Sequence, residues 1–189
     1  MFAVMLDHLR IAVLFEQRFF ACEMSLGIFD KLIERVGEFP VDSEIGTLTG
    51  YAFQTLFDSF YHMAFVHGQI GEGRNVLTRL HRANLILDVF GGAKAIRWTL
   101  GRFKTEGKGV LVVLRDGAAG VPVVAIPKSD ETASGEARTR QWREIGLGAQ
   151  ILRDLGVSSI HLLSSSRHMT YVGLSGFGIE IVRTEPVEV

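Results

Sequence analysis

The chain of 189 residues is long enough for one compact domain with a short additional segment. Its 20 Lys and Arg balance 21 Asp and Glu to a net charge of -1, so no overall positive charge favours nucleic acid or an anionic membrane. The single cysteine, Cys22, excludes an internal disulfide and any zinc site that needs several thiolates from one chain. With 47% hydrophobic residues, we expect a cytoplasmic protein whose core folds without disulfides or metal.

The N-terminal segment carries apolar side chains at helical spacing, which predicts a mostly helical stretch over residues 1–37. The residues that show this spacing are Leu6, Leu9, Val13, Leu14, Phe29, Leu32, Ile33 and Val36. We place the end of the segment at the break over residues 37–40 and the main domain at residues 38–189. The segment is interpreted as a fusion tail or a dimer contact, with Met24 as an alternative translation start. Its longest central apolar run, residues 11–15, is too short for a membrane span or a signal peptide.

After this segment the pattern changes to alternating or continuous apolar stretches between turns, which is typical of strands. Three such stretches, residues 44–54, 60–70 and 75–85, predict an antiparallel meander. A helix is predicted over residues 93–103. It leads into residues 109–117, whose β-branched density indicates a buried central strand.

The C-terminal third alternates between strand and helix patterns. A short strand is predicted at 121–127 and a polar surface loop or lid at 128–141. Further elements follow in the order helix 145–156, strand 158–163, helix 167–178 and strand 179–183. A strand, a helix and a strand in this order predict a right-handed crossover between parallel strands. The fold class is therefore α+β, with antiparallel strands followed by a C-terminal βαβ crossover.

Basic residues collect near the ends of the predicted strands and at one helix start. They are Arg79, His81, Arg82, Arg115 and Arg143. Residues 164–166, all serines, lie between a strand and a helix start, where hydroxyls and backbone N–H groups can hold an anion. These residues predict a phosphate pocket at the carboxyl edge of the sheet. The alternative is that the arginines are separate surface charges and one serine is a helix cap. The six histidines are dispersed and show no zinc-ligand spacing.

Several segments resemble GTP cyclohydrolase II, the enzyme family of riboflavin synthesis. GLGAQILRDLGVSSIHLLSSSRHMTYVGLSGFGIEIVRTEP, residues 146–186, is similar to the family's closing segment, with a GAQIL-type helix before a strand, a turn, a helix and a last strand. NVLTRLHRANLILDVFGG, residues 75–92, resembles its Arg-Val-His-Ser-Glu-Cys segment, and EGKGVLVVLRDG its Glu-Gly-Arg-Gly strand. LIERVGEFPVDSEIGTLTGYAF resembles its opening strands, so the resemblance covers about residues 32–186 and implies the family's fold.

This chain differs from the family at several residues that take part in the family's reaction. The family binds zinc through three cysteines; the first matches Asn84, and the other two fall where this chain runs VFGGAKAIRW with residues missing. The resemblance therefore implies that zinc is absent. The family's general-base Asp matches Gln141, and its phosphate-binding Lys matches Met169. The Arg that attacks the α-phosphate is kept as Arg143, and one hydroxyl of the family's turn is kept as Ser164.

What remains is the phosphate side of the site: Arg79, His81, Arg82, Arg115, Arg143 and Ser164. The resemblance implies a catalytically degenerate domain that binds GTP or a related nucleotide, or acts as a dimerising or regulatory domain. A homodimer and association with 3,4-dihydroxy-2-butanone 4-phosphate synthase are the expected assemblies, because such degenerate copies occur fused to that enzyme. Two alternatives stay open, and with them whether the chain is an enzyme. One is an active cyclohydrolase with non-cysteine metal ligands, which converts GTP to the diaminopyrimidine, formate and pyrophosphate; the other is a ligand-free scaffold.

Overall fold

A mixed β-sheet organises the residues that this computed structural model describes, which are 33–56, 59–115, 145–165, 174 and 176–188. Its strands are β1 (Ile33–Ser43), β2 (Gly46–Thr55), β3 (His62–His67), β4 (Val76–Arg82), β5 (Gly109–Leu114), β6 (Ser159–Ser164) and β7 (Glu180–Pro186). Their order across the sheet is β1-β2-β3-β5-β4-β6-β7. Neighbours from β1 to β5 are antiparallel, whereas β5, β4, β6 and β7 are parallel. The α+β class predicted from the sequence is confirmed.

An α-helix packs on each face of this sheet. Helix α1 (Lys94–Glu106) follows a π-helical turn (Ile86–Phe90), and helix α2 covers residues 145–154. Helix α1 ends at Gly107, whose left-handed φ of 78° lets its N–H bond the Phe103 carbonyl at 2.8 Å. Both helices lie where the apolar periodicity predicted them.

Each face of the sheet has its own apolar core, because successive side chains of a strand point to opposite faces. On β5, Val110 and Val112 join the cluster that contains α2, whereas Leu111 joins the cluster that contains α1. We call these the α2 face and the α1 face. Phe103 of α1 is fully buried on its face. The central strands are therefore covered on both sides, as the continuous apolar run of β5 predicted.

The predicted antiparallel meander is wrong in its third strand. β4 does not pair with β3 in the described sheet, because β5 lies between them, antiparallel to β3 and parallel to β4. The residues between β4 and β5 include helix α1, which is long enough to carry the chain back for a parallel pairing. Residues 76–79 are buried on both faces, as a central parallel strand requires. Apolar periodicity identified the strand, but its neighbours depend on this long-range burial.

The predicted N-terminal helix does not include residues 33–37, because β1 begins at Ile33 and runs through the expected break at 37–40. Pairing with β2 along the whole strand replaces the helical conformation, with a bulge between Arg35 and Gly37. Pro40 is tolerated because β1 is an edge strand of the described sheet. The predicted helix over residues 1–32 lies outside the described residues.

β6 and β7 are adjacent and parallel, from the Ser159 and Glu180 pair to the Ser164 and Pro186 pair. Most of the predicted helix that would join them lies outside the described residues, so the right-handed crossover stays a prediction. The strand predicted at 121–127 and the loop predicted at 128–141 also lie outside them. Among the helices that the structure describes, none is long and apolar enough to cross a membrane.

Candidate functional site

The parallel strands β4, β5 and β6 end at the same edge of the sheet, which we call the carboxyl edge. β4 ends at Arg82, whose register partner Leu114 ends β5 and is followed directly by Arg115. β6 ends at Ser164 and is followed by Ser165. Three segments far apart in sequence thus place two guanidinium groups and two hydroxyls at one edge. This is the edge at which parallel sheets commonly bind ligands.

Arg79 is buried on the α1 face, three residues before the end of β4, and is only 5% exposed. Its Nη2 donates a hydrogen bond to the Ser165 Oγ at 2.9 Å. The bond joins β4 to the end of β6 and brings a positive charge to the carboxyl edge. Ser164, the predicted hydroxyl, is itself 3% exposed, and its carbonyl accepts the Val187 N–H at 2.9 Å. Ser165, which the sequence did not single out from its neighbours, thus takes part at this edge through its contact with Arg79.

His81 lies two residues after Arg79 and on the same face, and it is 7% exposed. Its Nε2 is 3.0 and 3.1 Å from the two carboxylate oxygens of Asp88. Asp88 was not among the residues that the sequence singled out. The signal that could have found it is the spacing from Asn84 to Asp88, which is close to that of a helix cap with a reciprocal acidic residue.

Arg115 is held at its backbone by a residue from another strand. The Arg115 N–H donates to Nδ1 of His62, which begins β3 at the same edge and is 1% exposed. The side chain of Arg115 is exposed, as is that of Arg82. His62 carries no local sequence signal for this role, because the contact exists only when β3 and β5 pair.

The structure thus gathers five of the six predicted site residues near one edge: Arg79, His81, Arg82, Arg115 and Ser164. Arg143 lies outside the described residues. The arrangement is a set of three guanidinium groups and one imidazole towards the ends of parallel strands, with serine hydroxyls beside them. Chemically, such a set can bind a phosphate or another anion.

A second charged cluster lies on the α1 face, where Arg102 donates from Nε and Nη2 to the two carboxylate oxygens of Glu185, at 2.8 and 3.1 Å. His161 Nε2 lies 3.2 Å from Glu185 Oε2. The hydrogen bonds from Arg102 lower the pKa of Glu185, and burial lowers the pKa of His161. The cluster joins α1 to β6 and β7, so we interpret it as structural.

The seven-stranded mixed sheet, with basic residues at its carboxyl edge, defines an α+β domain. The sequence model of the GTP cyclohydrolase II family matches residues 34–186, and the chain belongs to that family. The resemblance noted in the sequence is therefore confirmed.

Two similar proteins are longer than this chain. The chloroplastic monofunctional riboflavin biosynthesis protein RIBA 2 of Arabidopsis thaliana is 32% identical over 166 residues, which cover 84% of this chain and 35% of the relative. A Pseudomonas aeruginosa protein named 3,4-dihydroxy-2-butanone 4-phosphate synthase is 30% identical over 167 residues, which cover 85% of this chain and 45% of that protein. The chain thus spans less than half the length of either.

A solved structure has the same fold. RibBX from A. baumannii, described as a two domain 3,4-dihydroxy-2-butanone 4-phosphate synthase, superposes with a TM-score of 0.59 at 22% sequence identity. The match covers 93% of this chain and 48% of RibBX. At this identity, the likeness establishes the fold only.

The residues at the family's metal position do not fit a zinc ion. One cysteine in the whole chain cannot supply three thiolates. At the first ligand position, the Asn84 Oδ1 instead accepts the Leu87 N–H at 3.0 Å. Within the described ranges, no group of three or more His, Cys, Asp or Glu side chains is placed to hold a metal ion.

Proposed function

We propose that this chain is a GTP cyclohydrolase II-like domain of riboflavin biosynthesis that has lost the ring-opening reaction and still binds GTP or a related nucleotide. The observation that carries the proposal is the convergence of Arg79, Arg82 and Arg115 at one sheet edge in a chain with a single cysteine. Guanidinium groups match phosphate oxygens in charge and geometry. The three-thiolate zinc that would lower the pKa of the attacking water cannot form here.

Each residue has a proposed part in binding. Arg82 ends β4 and Arg115 directly follows β5, so both exposed side chains belong to the carboxyl edge, where we propose that they contact the phosphates. Arg79, which donates a hydrogen bond to Ser165, adds a buried positive charge to the same edge. Arg143, at the family's nucleophile position, is proposed to contact the α-phosphate without completing the reaction, because Gln141 replaces the family's general base.

One preparation tests this function directly. Purified protein is incubated with GTP, the products are analysed for formate and the diaminopyrimidine, and the bound metal is measured. We expect neither product, and we expect GTP at about 100 times its dissociation constant to stabilise the fold by about 2.7 kcal/mol. Formate release with stoichiometric zinc, abolished by a chelator, would establish the active-enzyme alternative. If GTP does not raise the unfolding temperature, the ligand-free scaffold is the alternative that remains.

We further propose that the domain works as a homodimer and in association with 3,4-dihydroxy-2-butanone 4-phosphate synthase in the cytoplasm. Support comes from RibBX, whose two-domain chain contains a region of this fold. Under this proposal the N-terminal segment is a fusion tail or dimer contact, and the connection between β6 and β7 is the right-handed crossover that the sequence predicts. Light scattering of the chain alone and mixed with the synthase tests both assemblies. A monomer that leaves the synthase unbound would contradict them.

A further inference from the structure

The connection between β4 and α1, residues 83–93, has no apolar anchor in its π-helical turn. None of the turn's side chains, Ile86–Phe90, is buried, and Phe90 is 80% exposed. Hydrophobic burial therefore cannot hold this turn in one conformation. Polar contacts have to do so, because a turn without them would lose little by opening.

Hydrogen bonds to two side chains close the connection from within. The Asn84 Oδ1 accepts the Leu87 N–H at 3.0 Å, and the Asp88 Oδ2 accepts the Asn84 N–H at 2.8 Å. Both Asp88 oxygens also lie within 3.1 Å of His81 Nε2. We call Asn84, Asp88 and His81 the Asp88 clasp. One carboxylate thus joins the end of β4 to the start of the turn.

At the end of the π-helical turn, Gly91 is closely packed against the backbone. Gly91 donates its N–H to the Ile86 carbonyl at 3.0 Å, and a Cβ on Gly91 would lie 2.5 Å from the Leu87 carbonyl oxygen. A side chain at this position would push the turn open. The exposed conformation is therefore built into the connection by the clasp at its start and by glycine at its end.

We propose that the Asp88 clasp, in place of the family's metal, fixes the conformation of residues 83–93. Asp88 is then a positioning residue for His81. Metal ligation can fix a segment that has little core of its own. Here Asn84 stands at the first ligand position and serves as a cap, and the carboxylate of Asp88 makes the longer-range tie. The clasp goes beyond nucleotide binding and does not depend on it.

The chemistry of the clasp predicts a specific form of His81. An ionised carboxylate can only accept hydrogen bonds, so the Nε2 that faces both Asp88 oxygens carries the proton. This geometry favours the Nε2–H tautomer of the imidazole over the Nδ1–H tautomer. A merely space-filling Asp88 would impose no such preference.

Asp88→Asn and Asp88→Ala test the clasp, with Asp42→Asn as the matched control. Asp42 is an exposed carboxylate that accepts the Thr47 hydroxyl at 3.1 Å in the β1–β2 hairpin, far from the clasp in sequence. Nitrogen-15 NMR of the imidazole reads the tautomer, and hydrogen exchange reads the opening of residues 84–93. Both are measured with and without added zinc.

We expect the Nε2–H tautomer in the wild type and in Asp42→Asn, and a mixture in Asp88→Ala. Hydrogen exchange over residues 84–93 should become about tenfold faster in Asp88→Ala. The increase should be smaller in Asp88→Asn, because the single amide oxygen can still accept from either the Asn84 N–H or His81. Unchanged tautomer and exchange in both Asp88 variants would overturn the proposal. So would zinc that binds the wild type and slows exchange in this connection. If Asp88→Ala fails to fold, Asp88→Asn alone decides between these outcomes. None of these readouts uses GTP, so the clasp and nucleotide binding can fail separately.

Discussion

Arg82 ends β4 and Arg74 lies two residues before its start, and both are exposed. If the carboxyl edge binds phosphate, Arg82→Ala should weaken GTP binding by about 10- to 150-fold, since a hydrogen bond to a charged group contributes about 1.5 to 3 kcal/mol. Arg74→Ala removes the same charge at the other edge, so it should leave the affinity within twofold. Calorimetric titration of GTP measures both.

Equal weakening by the two substitutions would point to general charge attraction rather than a site. Repeating the titration in higher salt separates these effects, because a screened long-range attraction fades for both variants. If Arg82 contacts the phosphate directly, Arg82→Ala still binds GTP more weakly than Arg74→Ala in higher salt.

His62 and Asp88 show why single residues are hard to assign from sequence. Each is an ordinary residue in its own segment, and each acquires its role from a partner on another element: the Arg115 N–H for His62, and His81 for Asp88. Arg79 was a candidate because basic residues collect near the end of its predicted strand, and the family pattern also marks it. Its contact with Ser165 spans 86 residues of sequence and could be seen only in the folded chain.

The cluster of Arg102, Glu185 and His161 joins α1 to the last two strands and makes stability depend on pH. The folded chain lowers the pKa of Glu185 through the Arg102 hydrogen bonds, and that of His161 through burial. Each group then binds protons less readily when folded than when unfolded. Its contribution is complete above the unfolded pKa, and it is lost as the pH falls.

We therefore expect the free energy of unfolding to decrease on acidification, first below about pH 6.5 for His161 and again below about 4.5 for Glu185. Urea unfolding between pH 8 and 4 measures the curve. Glu185→Gln should flatten its lower part, whereas Glu44→Gln, at an exposed pair with Arg97, should leave it unchanged. An identical curve for all three proteins would contradict this assignment.

Two glycines in the turn before β4 offer a matched pair. Gly71 and Gly73 both have positive φ, 60° and 71°, so alanine should cost about 1 to 2 kcal/mol at either position. A Cβ on Gly73 would also collide with the Gly156 carbonyl, whereas none of the described atoms lies within 4 Å of one on Gly71. Gly73→Ala should therefore cost about 1 to 3 kcal/mol more.

Urea unfolding of the two alanine variants measures this difference. The Gly73 carbonyl also accepts the N–H groups of Ser158 and Ser159, so the turns before β4 and β6 meet here. If both variants lose the same free energy of unfolding, the turns before β4 and β6 can separate without cost.

At the scale of the whole molecule, sequence periodicity found most of the described elements but was wrong about the start of β1 and the neighbours of β4. Helices α1 and α2 and the buried strand β5 follow from local spacing and helix-ending glycines. The antiparallel position of β4 was wrong, and helical spacing misled at residues 33–37. In both cases, pairing with a distant strand outweighed the local pattern.

The amino-acid sequence alone was enough to assign the family and to exclude a three-thiolate zinc site, because both rest on residue identity and order. Only the tertiary structure decided the strand order, the meeting of Arg79 with Ser165 and the closure of the β4–α1 connection by Asp88. Local spacing reports the conformation of one segment. Contacts between segments depend on how the whole chain buries its apolar surface, and no single segment carries that information.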